Sequence, residues 1–228
     1  MTAGPLLDID TATRQIVVAV GGTDGAITTE SAWEAGYRHG ETLLPAVEDV
    51  LARSGAARRD LRAVIGGTGP GAFTGLRVGL ATAKGLARGL GIPIVGVPTG
   101  EALLAAAAAA DGMPIGALAL LMPAGPSDRV LVTGGTSPVI VRAGDEPDVP
   151  PGTTIVAVDL EDRAPADALE RGGRARAGLA RALLRAGAAR LAADSGGDDL
   201  ARLVPEYVTL PRGVAAPIGE VTWSRDHR

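Results

Sequence analysis

Cysteine is absent from this 228-residue chain. That excludes disulfides, thiol nucleophiles and cysteine-ligated metals, and it suits a reducing compartment. Aromatic residues make up only 2%, so stacking platforms for bases are scarce. Lys84 is the only lysine among 22 basic residues, and the net charge is −4. The basic excess that marks a chain gripping nucleic acid by itself is missing. There are two histidines, His39 and His227, and no His-x-x-x-His pair, so the sequence offers no zinc-peptidase site. No Gly-x-Ser-x-Gly elbow occurs. No run of large apolar side chains is long enough to span a membrane, and Asp8 and Asp10 interrupt the only apolar stretch near the start. The expectation is a cytoplasmic chain with no membrane span, no metal site and no evident catalytic cluster.

What is present reads as mixed α/β. "PLLDIDTATRQIVVAVGG" predicts two strands around a polar turn at Thr11 to Gln15. Its Val17 to Val20 run suits a strand buried on both faces. "ETLLPAVEDVLARSG" predicts an amphipathic helix with Leu43, Leu44, Val47, Val50 and Leu51 on one stripe, stopped at Gly55. "RAVIGG" and "IPIVGV" predict short buried strands, and Thr99 is placed to cap a helix beginning near Glu101. From about residue 112 four strand-like runs follow one another, and an Ala/Arg helix or helix pair fills about 166–193. The end, from Pro205, reads as extended. A boundary near residue 110 divides the chain into units 1–110 and 111–228. Each begins β-rich and continues helical, as a duplicated α/β unit would.

The stretch "GGTGPGAFTGLRVGLATAKGLARGLG", 66–91, is the most informative. It fails the Walker A pattern, because Gly85 follows Lys84 where Ser or Thr is needed. Gly67, Gly69 and Ala72 satisfy a dinucleotide-binding pattern. The acid expected at the end of the next strand is missing, and Pro70 removes a backbone donor. The glycines therefore read as shape, with Gly69, Pro70 and Gly71 making a tight loop and Thr74 placed to cap the helix. Within that helix Gly75, Gly79, Ala83 and Ala87 recur at every fourth position, flanked by Leu76 and Leu80. Such a row lets another helix approach closely. Packing inside the same unit and an interface with a second protein both remain open at this point. "ERGGRARAGLARALLRAGAAR" is a basic helix face that reads first as solvated surface.

The block Gly69, Pro70, Gly71, Phe73, Thr74, Gly75, Leu76 and Arg77 resembles the bacterial tRNA threonylcarbamoyladenosine biosynthesis (TsaB/YeaZ) family, the M22 glycoprotease-like group. Ala72 stands where serine is usual. "DIDTAT" is similar to that family's first hairpin, with Asp10, Thr11 and Thr13 in register, and His39, Glu41, Leu44 and Pro45 match a further segment. The resemblance implies two actin-like ATPase (ribonuclease H-like) domains, the second divergent and carrying an extended C-terminal tail. It implies a vestigial nucleotide-site hairpin at Asp10, Thr11 and Thr13. It also implies a non-catalytic scaffold that binds a catalytic homologue through N-terminal-domain helices, with Leu44, Val47, Leu51, Gly75, Leu76, Gly79, Leu80 and Ala83 as interface. Partners so implied are that catalytic subunit and a small ATPase subunit, which carry ATP and metal. tRNA is reached only through the complex, and a homodimer forms when the chain is alone. An independent actin-like ATPase or small-molecule kinase and a glycoprotease-type peptidase are the alternative readings.

Overall fold

The computed structural model describes residues 4–34, 36 and 39–208. The extended tail expected from Pro205 lies outside the described residues from 209 on, as does the side chain of His39.

The first sheet has five strands in the order β3-β2-β1-β4-β5. These are β1 (Leu6–Asp10), β2 (Gln15–Gly21), β3 (Ile27–Glu34), β4 (Ala63–Gly69) and β5 (Ile94–Pro98). β1 to β3 form an antiparallel meander, whereas β4 runs parallel to β1 and β5 parallel to β4. Strand β3 has no counterpart in the sequence reading. Its segment, Ile-Thr-Thr-Glu-Ser-Ala-Trp-Glu, occupies a sheet edge and stays partly exposed along its length, so it carries little apolar signal.

Helices α1 (His39–Ser54) and α2 (Phe73–Leu90) cover one face of this sheet. Leu43, Val47, Val50 and Leu51 of α1 enter the core there with Leu7, Ile9 and Val18. Gly55 follows α1 with a φ of 72°, and Gly91 ends α2 in the left-handed region.

The second sheet repeats the order with one strand fewer, β8-β7-β6-β9. Its strands are β6 (Leu118–Ala124), β7 (Asp128–Thr133), β8 (Val139–Val141) and β9 (Thr154–Ala157). β6 and β7 pair antiparallel and β9 joins β6 in parallel, as in the first sheet. The duplication expected from the sequence is thus present.

The remaining helices are α3 (Thr99–Asp111), α4 (Ala166–Ala177) and α5 (Leu179–Ala193). They are exchanged between the two halves. α3 follows the first sheet but packs on β6, β7 and α4, while α5 follows the second sheet but lies across all five strands of the first. One continuous apolar core results, joining Leu6, Ile65 and Val97 to Leu103, Leu120, Val132, Leu183 and Leu184.

After α5 the chain turns back as a strap along β5. Asp198 N–H donates to the Ile94 carbonyl at 2.8 Å, and its carboxylate accepts from Gly96 N–H at 2.7 Å. Arg190 pairs with the same carboxylate at 2.7 Å. These bonds occupy edge groups of β5 that would otherwise be free to recruit another strand. Further on, Lys84 Nζ donates to the Leu203 carbonyl at 3.0 Å, and Glu206 N–H to the Thr68 carbonyl at 2.7 Å. Tyr207 stacks on Phe73 with centroids 5.0 Å apart, and the Arg77 guanidinium lies 4.0 Å from the Phe73 centroid. Two of the few aromatic side chains thus fasten the strap to the start of α2.

Candidate functional site: a closed hairpin and the outer faces of two helices

The turn between β1 and β2 holds Asp10, Thr11 and Thr13, at 0%, 1% and 2% exposure. Every one of these side chains has a partner in the chain itself. Asp10 Oδ1 accepts from Ala12 N–H at 3.0 Å, closing the turn locally. Asp10 Oδ2 accepts from the Thr99 hydroxyl at 2.6 Å. Thr99 Oγ1 in turn accepts from Gly69 N–H at 3.1 Å. Thr11 donates to the Gly75 carbonyl at 2.7 Å, and Thr13 to the Gln15 carbonyl at 2.9 Å. Burial raises the Asp10 carboxyl above its usual range, against the bonds from Thr99 and Ala12.

The loop from Gly69 to Ala72 closes over this turn. Gly69 has a φ of 104°, which a side chain would strain. Pro70 is buried and joined to Gly69 by a cis bond. Gly71 lies directly on Ala12, where any Cβ would overlap the Ala12 backbone, and Ala72 N–H donates to the Ala12 carbonyl at 2.9 Å. An actin-like nucleotide site would need this hairpin open so that its donors meet phosphate. Here the Ala12 amide is taken by Asp10, and backbone of the glycine loop fills the space above the turn. The residues present do not fit nucleotide phosphates. Among the described residues no group of three His, Asp or Glu side chains could hold a metal ion.

A second contact fastens the hairpin to the other half. Asp159 follows β9, is 5% exposed and has a φ of 58°. Its Oδ2 accepts from Arg14 N–H at 2.7 Å and its Oδ1 from Arg176 at 3.3 Å. Burial raises the Asp159 carboxyl, opposed by those two donors. Asp159→Ala is expected to leave Arg14 N–H without its acceptor at a cost of about 1–3 kcal/mol. Faster amide hydrogen exchange at Arg14, with a lower melting temperature, is the readout. Unchanged exchange there would show that the contact does not hold the hairpin.

Two sequence expectations about this region need correction. Thr74 does not cap α2. The helix starts one residue earlier with Ala72 at the N-cap and no side-chain bond, and Thr74 is exposed in its first turn. Thr99 does not wait ahead of its helix but is already in it, with Pro98 at the N-cap, and its hydroxyl turns to Asp10. Asp159 and Arg14 were not singled out from the sequence, and Thr99 only as a helix cap. Only Thr99 left a signal, because it directly follows β5, beside the carboxyl ends of β1 and β4 where side chains of such sheets converge.

The small-residue row on α2 also differs from an outward interface. Gly75, Leu76, Gly79, Leu80 and Ala83 are all buried against their own sheet. A Cβ on Gly79 would overlap the Thr11 hydroxyl, and Gly66 of β4 faces Leu80 and Ala83. Val47 and Leu51 of α1 are likewise buried, at 1% and 4%. Of the residues proposed as interface, only Leu44 is open, at 51% exposure. The neighbour that the close approach serves is the hairpin, not a second protein. A different row does face out. Ala81, Gly85 and Gly89 are exposed on α2, and nothing lies within 4 Å of where a Cβ on Gly85 or Gly89 would stand. The basic face expected on the last helices is largely neutralised at its start, because Arg174 pairs with Asp111 at 2.7 Å.

Taken together, the strand order, its repetition and the exchanged helices define a two-domain actin-like (ribonuclease H-like) fold whose first hairpin is closed. Comparison with solved structures agrees. YeaZ from Pseudomonas aeruginosa superimposes with a TM-score of 0.69 at 22% identity, covering 90% of this chain and all of that one. Residues 33–146, half of this chain, match the family model described as TsaD, tRNA N6-adenosine threonylcarbamoyltransferase. The chain belongs to this family, and within it to the TsaB/YeaZ group. It is 43% identical over 95 residues to the tRNA threonylcarbamoyladenosine biosynthesis protein TsaB of Escherichia coli, a match covering 41% of this chain and 40% of that protein. It is 37% identical over 110 residues to the tRNA N6-adenosine threonylcarbamoyltransferase of Rhizobium meliloti, covering 48% of this chain and 30% of that protein. The match thus spans well under two thirds of the length of either relative.

Proposed function

We propose that this chain is a non-catalytic subunit in the biosynthesis of tRNA N6-threonylcarbamoyladenosine, holding a homologous catalytic subunit against its N-terminal unit, 1–110. The observation that carries this is the hairpin. Its one suggestive carboxylate, Asp10, is consumed by Ala12 and Thr99, and the loop at Gly71 fills the space a phosphate would take. A chain similar to a transferase in sequence, yet closed at the hairpin, suits a supporting role. ATP, metal and the transfer step then belong to the catalytic subunit and a small ATPase subunit, and tRNA is engaged through the assembly in the cytoplasm. Among the described residues no helix is long and apolar enough to cross a membrane.

The contact surface in this reading is the outer side of α1 and α2, which lie side by side on one face of the first sheet. Leu44 supplies an exposed apolar anchor, and the Ala81, Gly85 and Gly89 row allows close approach of a partner helix. In the absence of the catalytic subunit a second copy covers the same face. The test is co-elution of the purified chain with its cognate threonylcarbamoyltransferase. Gly85→Leu combined with Leu44→Asp is expected to weaken association at least tenfold, the effect of roughly 1.4 kcal/mol, with an unchanged melting temperature. ATP turnover near 1 s⁻¹ by the isolated chain, abolished in Asp10→Ala, would instead establish an independent ATPase.

A further inference from the structure

Arg77 is exposed on the outer side of α2, and among the described residues no carboxylate pairs with it. Other surface arginines have an acid of their own, as Arg14 has Glu161, Arg58 has Glu48 and Arg174 has Asp111. Arg77 is held by aromatic rings instead. Its guanidinium lies 4.0 Å from the Phe73 centroid and 5.8 Å from that of Tyr207. Its Nε donates to the Tyr207 hydroxyl at 3.0 Å. The chain has one phenylalanine and two tyrosines, so its only phenylalanine and one of its tyrosines meet at this side chain. Closing the strap does not require that, because the bonds from Lys84 to Leu203 and from Glu206 to Thr68 already hold it.

A guanidinium fixed through Nε keeps its terminal nitrogens, Nη1 and Nη2, as a fork, and neither makes a bond among the described residues. Such a fork matches the two oxygens of a carboxylate. Holding it in place beforehand reduces the side-chain ordering lost on binding. The charge around it suits an acidic neighbour. Helix α2 contains no acid. Arg88 is exposed about three turns further along the helix, again with no acid among the described residues, while the Lys84 amine is spent on the Leu203 carbonyl. We propose that Arg77 is the anchor for the catalytic subunit, and that a carboxylate on the surface of that subunit docks bidentately on its fork. The inference rests on the proposed assembly and supplies the chemistry of its contact. A carboxylate is favoured over an RNA phosphate, because a phosphate backbone draws on a field of cations. Here Arg77 and Arg88 stand on a chain of net charge −4.

The test measures the affinity of the full chain for its cognate threonylcarbamoyltransferase, both purified and treated with ribonuclease. Arg77→Glu is expected to weaken association at least tenfold. Arg77→Lys keeps the charge but not the fork, and is expected to recover less than half of that loss on a logarithmic scale. Arg77 is exposed, so both variants are expected to stay folded, which thermal melting reports. The decisive step is a charge exchange. Aspartates and glutamates on the surface of the transferase are changed one at a time to arginine and paired with Arg77→Glu. One of them is expected to restore affinity at least tenfold, which no loss of folding in either protein could mimic. Four outcomes would overturn the anchor. Arg77→Glu binding as tightly as the parent would remove it while leaving the assembly intact. Full binding by Arg77→Lys would reduce the fork to a simple charge. Rescue by none of the exchanges would show that no carboxylate docks there. Association lost on ribonuclease treatment would assign the fork to phosphate. Failure of the parent chain itself to bind the transferase is a separate result, which sinks the assembly and the anchor together.

Discussion

Gly79→Leu is expected to unfold the chain rather than loosen any complex it forms. A Cβ at residue 79 would overlap the Thr11 hydroxyl, and a leucine places three further carbons in the same gap. Thr11 must then move, and its bond to the Gly75 carbonyl is lost. Overpacking costs about 1–3 kcal/mol, and stranding a buried donor and acceptor adds roughly 1–3 kcal/mol more. Against a native stability of about 5–15 kcal/mol that is a large fraction. The hairpin, the Gly69–Ala72 loop and α2 all meet at this spot, so the damage spreads to each. Gly85→Leu makes the same chemical change on the other side of the same helix, where space is open. It is expected to hold or slightly raise the melting temperature, since glycine within a helix is unfavourable by about 1 kcal/mol. Thermal melting of the two variants decides the orientation of α2. A stable Gly79→Leu protein would mean that the helix presents the other row to its sheet.

Asp8→Asn is expected to raise stability, and to do so only above mildly acidic pH. Asp8 is fully buried in β1, and neither carboxylate oxygen makes a hydrogen bond among the described residues. It faces Ala19 and Ile65 beneath α5. Burial drives its carboxyl well above the usual range, and the charges of Asp10 and Glu30 push it further. The Ile9 N–H leans toward the group and opposes the rise, short of hydrogen-bond geometry. Arg181 on the covering helix acts on Glu30. An acid raised by folding keeps its proton in the native state after the unfolded chain has released it. Stability therefore falls as pH rises from the unfolded value near 4 toward the folded one, by roughly 1 kcal/mol per pH unit. The asparagine variant has no proton to release. It is expected to melt near the parent at pH 4 and measurably higher at pH 8, by roughly 2–4 °C for each kcal/mol gained. Parallel melting curves for the two proteins across that range would contradict a raised carboxyl at Asp8.

Much of the architecture was legible in the sequence, for identifiable reasons. The run at Val17 to Val20 and the polar turn before it mark the first hairpin because apolar β-branched residues are concentrated there. The Ala/Arg segment did resolve into a helix pair, broken at Gly178 between α4 and α5. Strand β3 was not legible, since an exposed edge strand rich in Thr, Glu and Ser carries no apolar period. The orientation of α2 was not legible either. Both of its sides carry small residues at four-residue spacing, Gly75–Gly79–Ala83 and Ala81–Gly85–Gly89, and periodicity reports a face without reporting its neighbour. Asp10 was found because it sits in a turn motif. Its partner Thr99 lies 89 positions away, a relation that only the strand order creates.

The exchange of α3 and α5 bears on how the chain is made. The first sheet ends at Pro98, but the helix that crosses all five of its strands begins at Leu179. At roughly 5–20 residues per second of synthesis, that helix follows several seconds later. Meanwhile the sheet surface bearing Leu6, Val17, Ala19 and Ile65 emerges from the ribosome with its main cover still unmade. An apolar surface of this kind is prone to stick to its neighbours. Asp8 lies in the middle of it, beside Glu30. In contact with water both carboxyls ionise and hold nascent chains apart. Once α5 settles, burial pushes the Asp8 carboxyl well above its usual range and favours its uncharged form.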